Sequence, residues 1–290
     1  MELIQPISWE DALAAKAAYP DARAIRGGTD LMIELGAGDR LPATILDLGR
    51  VVELAEWSLD DGHVVLGAGV TFTELIDELS GELPALAMAA RTVGSPQIRN
   101  RGTVGGNLGT ASPAGDAHPP LLATDAQVKL ASARGARWIG IGELFAGPKR
   151  TTLEPDELIE CVRMPRASGS QQFSKIGTRN AMVISVCSFA LAIDPSRRRV
   201  GTGIGSAGPV PLVAEEAGRF LEGVLTEADA WESGVPLGES EAARFAELVS
   251  AAACPIDDVR GTADYRRHAL AVLARRALGW ARGVRDELIG

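Results

Sequence analysis

The sequence of 290 residues predicts an α+β protein in two domains, the second of them smaller. Three observations carry this. A strand–helix–strand pattern opens the chain, hairpin-like strand runs follow as far as Pro165, and beyond residue 171 three β-rich runs give way to long helical periodicity. The expected domains are 1–170, with subdomains about 1–57 and 58–170, and 171–290.

Ser8 before Trp9-Glu10-Asp11 reads as the N-cap of an Ala-rich helix reaching about Tyr19. Ala22–Ile25 reads as a strand broken by Gly27-Gly28, Asp30–Leu35 as a helix, and Ala43–Leu48 as a second strand, a βαβ-like opening. His63–Leu66 is strand-like, and Thr71-Phe72-Thr73-Glu74 fits a capping box for a helix ending near Ser80. Pro84–Val93 is a further helix. Gly94–Pro120 reads as a long loop, and in a compact domain a loop of that length is functional or disordered; its spaced Ile98, Val104 and Leu108 favour function. Ala126–Ala131 and Arg137–Ile141 form a strand pair, and Leu158–Met164 a strand stopped by Pro165. Residues 166–171 are a plausible junction. Gln172–Ile176, Val183–Ile193 and Arg199–Ser206 then read as an antiparallel sheet of three strands, followed by helices over Val213–Leu221, Glu239–Ala253 and Tyr265–Glu287.

Bulk properties narrow the function. A net charge of −9 argues against nucleic acid as a general partner. The longest apolar stretch, Ala181–Ile193, falls short of the roughly 20 residues that span a bilayer. Met1–Pro6 has no basic region followed by an apolar run, so no secretory signal is expected and cytoplasm is the default. Cys161, Cys187 and Cys254 are dispersed, which disfavours a disulfide framework, a metal site or an iron–sulfur cluster held by this chain alone.

Two glycine motifs are the chemical candidates. Arg26-Gly27-Gly28-Thr29-Asp30-Leu31 lies between a strand and a helix, where glycines let a ligand approach the backbone and free N–H groups favour an anion such as a diphosphate. It is neither a Rossmann fingerprint nor a P-loop, and an ordinary strand–helix turn capped by Thr29 is the plain alternative. Thr103-Val104-Gly105-Gly106-Asn107-Leu108 continues through Gly109-Thr110-Ala111-Ser112-Pro113-Ala114-Gly115-Asp116; Thr103 and Asn107 offer side-chain donors to phosphate or ribityl oxygens, and Asp116 an acceptor for sugar or ribityl hydroxyls. Its plain alternative is a surface loop. His118 beside it reads as a loop histidine near the surface, with a proton-relay role as the alternative. The arginines Arg266, Arg267, Arg275 and Arg276 of the last helix read as a solvated face or one that meets an acidic partner.

Taken together, the two loops, Gln97–Gly102 leading into the second, Ala111-Ser112-Pro113, the run Thr152–Pro165, Phe173–Ile176 and Asp257–Arg266 resemble the FAD-binding medium subunit of molybdenum hydroxylases, the family of xanthine dehydrogenase and aerobic carbon monoxide dehydrogenase. The resemblance covers nearly the whole chain. It implies a two-subdomain FAD-binding domain of the vanillyl-alcohol oxidase type, then a C-terminal domain with an antiparallel sheet of three strands plus helices. It further implies that Gly27, Gly28, Thr29, Asp30 and Leu31, with Thr103, Val104, Gly105, Gly106 and Asn107, hold the diphosphate of a non-covalent FAD; Arg26, at the start of the first loop, is counted with the cofactor-binding residues. Asp116 would meet ribityl or ribose hydroxyls, and Ile159 and Lys175 would border the flavin. Expected partners are a small iron–sulfur subunit and a large molybdenum-cofactor subunit, in a dimer of heterotrimers. Electrons would pass from the iron–sulfur subunit to NAD+, oxygen, a quinone or another acceptor. Three departures stand out: Arg26 where relatives often carry a small residue, Asn180–Ser185 without the Asp-Ile-Ala of many relatives, and no cysteine-bearing insertion. The alternatives are a non-catalytic scaffold subunit or a stand-alone FAD oxidase.

Overall fold

The computed structural model describes residues 1–36 and 42–283. Its chain begins with a small parallel sheet in the order Glu2–Ile4, Thr44–Asp47, Arg23–Ile25. The helix Trp9–Ala18 makes the first crossover, and Ser8 Oγ accepts the Asp11 N–H at 3.1 Å, the cap the sequence predicts. The strand Glu2–Ile4 is an addition to the sequence reading; three residues are too few to show a period.

A second sheet of five strands runs antiparallel throughout, in the order Trp57–Asp60, His63–Gly67, Leu158–Pro165, Gln127–Ser132, Gly135–Gly140. The edge strand Trp57–Asp60 was not expected, although Asp61-Gly62, with φ of 42° and 73°, is the kind of Asp-Gly pair that closes two-residue hairpins. One face of this sheet buries Val64, Leu66, Val128, Leu130, Val162 and Met164 among helix residues Phe72, Leu75, Leu86, Val104, Leu108 and Leu121. The alternation along each strand explains the polar character of the opposite face, where Lys129 pairs with Glu160 at 2.6 Å and the Arg163 guanidinium lies 4.8 Å from the Trp138 ring centroid.

The stretch 94–120 is about half helical. It holds the short helices Pro96–Arg99, Val104–Thr110 and His118–Ala123. Its glycines and prolines read as loop, but Ser95 and Thr103 cap the first two helices and prolines occupy the first turns of the first and third.

The third sheet, Gln171–Ile176, Cys187–Asp194 and Arg199–Gly205, is antiparallel as predicted. Helices Glu215–Glu227, Glu239–Ala251 and Ala263–Ala281 supply the core against one face, around Phe189, Phe245, Leu221 and Leu270. The expected continuation of the last helix to Glu287 lies partly outside the described residues. The opposite face of the sheet meets the helices Pro84–Thr92 and His118–Ala123. Here Gly201 and Gly203 are required by close approach: a β-carbon would stand 1.7 Å from the Ala123 carbonyl oxygen and 2.0 Å from that of Pro119.

Arg266 departs from the expected solvated face. It is 3% exposed, and its Nη1 donates to the carbonyls of Val186 (2.9 Å) and Ser206 (2.6 Å) while Nη2 pairs with Asp258 at 2.5 Å. The motif 257–266 is thus a loop and the first turn of the last helix, pinned beside the third sheet by a buried guanidinium. No helix among the described residues is long and apolar enough to cross a membrane.

Candidate functional site

The first glycine loop leaves the strand Arg23–Ile25 and enters the helix Leu31–Gly36. Gly28 sits at φ +79°, which favours glycine, and among the described residues no hydrogen bond uses the N–H groups of Gly28, Thr29 and Asp30. Arg26 donates from Nη1 to the Gly49 carbonyl at 3.0 Å, but its Nε is buried without a partner and it forms no ion pair among the described residues. Burial, then the neighbouring Arg101, pull its pKa down. A half-buried arginine held beside a like charge is a site that gains from an anion.

The second loop is the N-terminal end of the helix Val104–Thr110, and its donors are already used. Val104 N–H donates to Val70 O (3.2 Å), Gly105 N–H to Ala68 O (2.9 Å), Gly106 N–H to Thr103 Oγ1 (3.0 Å) and Asn107 N–H to Thr103 O (3.0 Å). What this loop offers is room. A β-carbon on Gly105 would lie 2.4 Å from that of Ala68, so Gly105 is needed for packing. A β-carbon on Gly106 would meet only Thr103 Oγ1, at 3.0 Å, and Gly106 is exposed. Asn107 Oδ1 is buried without a hydrogen-bond partner among the described residues. Thr110 Oγ1 donates to Asp30 Oδ2 at 2.9 Å and joins the two loops. Lys149 joins them again, its N–H on Ala111 O (2.9 Å) and its Nζ on Glu34 (2.8 Å).

Asp116 is 7% exposed. Its Oδ2 accepts from Lys175 Nζ at 2.5 Å and from Thr92 Oγ1 at 3.2 Å, and Lys175 also donates to the Thr92 carbonyl at 3.1 Å. Asp116 Oδ1 is buried and has no hydrogen-bond partner among the described residues. Burial raises the Asp116 pKa, with Lys175 acting against it.

These elements surround a cleft of about 740 Å³, within the usual range of small-molecule and cofactor sites. Of the sequence-predicted residues, Arg26 to Leu31, Thr103, Gly105, Gly106, Asn107, Asp116 and Ile159 line it. Val104 and Lys175 do not. The Val104 side chain is fully buried in the core, and Lys175 stands behind Asp116 as its counter-ion. The structure adds lining that the sequence reading did not count among the site residues: Phe72, Gly94 to Ile98 in part, Leu153 to Leu158 in part, and Met182 to Ile184. In the sequence Ile98, Leu153–Leu158 and Met182–Ile184 lie within runs noted for the family resemblance or a departure from it, and Phe72 within a capping box. Val93 also lines the cleft, and as an aliphatic residue it has no ring to stack.

His118 is not near the surface. It is 0% exposed, its ring lies 4.7 Å from that of Phe145, and burial lowers its pKa to about 4. Among the described residues no group of histidine, cysteine, aspartate and glutamate side chains has the geometry to hold a metal ion.

Residues 1–167 match the model of the FAD binding domain in molybdopterin dehydrogenase, and residues 172–281 that of the CO dehydrogenase flavoprotein C-terminal domain. The chain is 32% identical over 249 residues to the nicotinate dehydrogenase FAD-subunit of Eubacterium barkeri, covering 81% of this chain and 84% of that one. It is 29% identical over 286 residues to the carbon monoxide dehydrogenase medium chain of Afipia carboxidovorans, covering 94% of each. Among solved structures, it is similar to a chain of the cyanide-inactivated Cu,Mo carbon monoxide dehydrogenase (28% identity, TM-score 0.88, 98% of both chains). It is also similar to a chain of quinoline 2-oxidoreductase from Pseudomonas putida (26% identity, TM-score 0.86, 98% of both chains).

Proposed function

This chain belongs to the family of FAD-binding subunits of molybdopterin dehydrogenases, and from that premise we propose how its residues hold the cofactor and between which partners electrons pass. It is the FAD-carrying oxidoreductase subunit of a molybdenum hydroxylase, with the iron–sulfur and molybdenum cofactors on partner subunits. The observation that carries the binding reading is the division of labour at the cleft. The first loop brings unused N–H groups at Gly28, Thr29 and Asp30 and the unpaired Arg26, a donor set suited to a diphosphate. The second brings the open face of Gly106, where a diphosphate could approach the backbone. Asn107 Oδ1 and Asp116 Oδ1 are buried acceptors without donors, and hydroxyls of the ribityl or ribose chain would satisfy them. Lys175 keeps Asp116 oriented through Oδ2, and Val104 anchors the second loop in the core. Ile159 supplies apolar contact along the cleft.

FAD bound in this way supplies the redox chemistry, while the chain contributes binding, orientation and electrostatics. The electron donor is the small iron–sulfur subunit, and the acceptor is NAD+, oxygen, a quinone or another oxidant. The assembly pairs this chain with that subunit and a large molybdenum-cofactor subunit, as a dimer of heterotrimers in the cytoplasm. Purification of the native protein tests this directly: flavin absorption bands, one FAD per chain released on acid precipitation, two copurifying subunits, iron and molybdenum are expected. A colourless complex would favour the scaffold role. A lone, fully active oxidase without either metal would favour the vanillyl-alcohol oxidase alternative.

A further inference from the structure

We infer that His118 is a positioning residue for the cofactor cleft: its imidazole caps the glycine helix and holds Asn107 and Asp116 in register. The inference rests on the reading of the cleft as the FAD site. The helix Val104–Thr110 ends early because Ala111 adopts a left-handed conformation, with φ 47°, and turns its N–H to Leu108 O. In a continuing helix that N–H would serve the carbonyl of Asn107. The carbonyl instead receives His118 Nε2 at 3.2 Å. A carbonyl can only accept, so Nε2 carries the proton.

The same ring fixes the other wall. Gly115 lies so close to it that a β-carbon there would stand 2.3 Å from Cε1. Residue 115 leads directly into Asp116. Phe145 closes the side of the ring, at 4.7 Å between centroids. One fully buried side chain therefore touches the backbone of Asn107 and that of Gly115, just before Asp116, and these two residues carry the acceptors Asn107 Oδ1 and Asp116 Oδ1, which have no partner among the described residues. No charged side chain contributes to its titration; burial dominates, and the contacts with the backbone of Asn107 and Ser112 only partly oppose it, which keeps the ring neutral at ordinary pH.

The test uses the full chain, stripped of flavin and titrated with FAD by fluorescence. His118→Phe keeps the ring packing against Phe145 and removes the donor; His118→Gln supplies an amide N–H near the position of Nε2. The expected result is FAD affinity weakened about tenfold by His118→Phe and restored to within about threefold by His118→Gln. A merely structural role would follow ring volume, so the phenylalanine variant would be the better binder. Unchanged affinity in His118→Phe, or no rescue by His118→Gln, overturns the inference. Should the phenylalanine variant fail to fold, 15N spectra of the unaltered chain decide, since it holds only 3 histidines. A neutral ring protonated on Nε2 is expected, and an imidazolium or an Nδ1–H tautomer overturns the inference. Absence of FAD binding by the unaltered chain overturns the cofactor reading itself, and this inference with it.

Discussion

The adjacent glycines of the second loop should respond to the same substitution in opposite ways. In Gly105→Ala the new methyl would begin 2.4 Å from the Ala68 β-carbon and 2.6 Å from its carbonyl oxygen. Carbon atoms pack at about 3.5–4.0 Å, so the helix must move by an ångström or more, straining the Gly105 N–H bond to Ala68 O. Overpacking of this kind costs about 1–3 kcal/mol, which lowers Tm by roughly 2–10 °C in a chain of this size. In Gly106→Ala the methyl meets only Thr103 Oγ1, at 3.0 Å. A few tenths of an ångström relieve that contact, and alanine in a helix is favoured over glycine by about 1 kcal/mol, so the flavin-free fold keeps its Tm. The loss falls on the cofactor: a methyl in the space of the diphosphate, with a similar overpacking cost, weakens FAD by roughly 5- to 150-fold. Thermal melts of the flavin-free chains and fluorescence titration with FAD measure the two effects separately. Gly106→Ala binding FAD as tightly as the unaltered chain, or melting as early as Gly105→Ala, would refute the assignment of the open face to the cofactor.

Arg266→Ala should destabilise the C-terminal unit by about 3–5 kcal/mol, because it strands two buried carbonyls and Asp258; a chemical denaturation midpoint equal to that of the unaltered chain would contradict this. Arg26→Gln should weaken FAD about tenfold and flatten the salt dependence of binding, and the idea fails if titrations at low and high salt match those of the unaltered chain. His118 has a folded pKa of about 4 against an ordinary value near 6.5. Its neutral form is favoured by folding, so its contribution is complete above about pH 6.5 and falls by about 1.4 kcal/mol per pH unit down to about pH 4. Acid unfolding of His118→Gln should lack this component, which parallel melts between those pH values would reveal.

Capping and turn chemistry made much of the fold legible from sequence. Ser8 and Thr71 do what their side chains suggest, and Pro165 ends its strand. Both glycine motifs line one cleft. What sequence reading missed was set by tertiary contacts. Residues 94–120 form helices too short to show a period. His118 and Arg266 are polar residues drawn inside by particular backbone carbonyls, which no local pattern reveals. The unlike roles of Gly105 and Gly106 depend on Ala68, which is far away in the chain.

The glycine-lined face of the third sheet limits how this protein can be cut or recombined. Gly201 and Gly203 press backbone onto the backbone of Ala123 and Pro119, leaving no room for a side chain at those two places. A fragment ending near residue 170 would bare Ala85, Ala89 and Ala123 to water, and the matching fragment would bare Phe173, Ala190 and Ala192. Grafting the C-terminal unit of a relative onto this chain would therefore require the donor strand to keep glycines at the same two places. Separate expression of either fragment should yield aggregates, because each would carry an unpaired apolar surface built for the other.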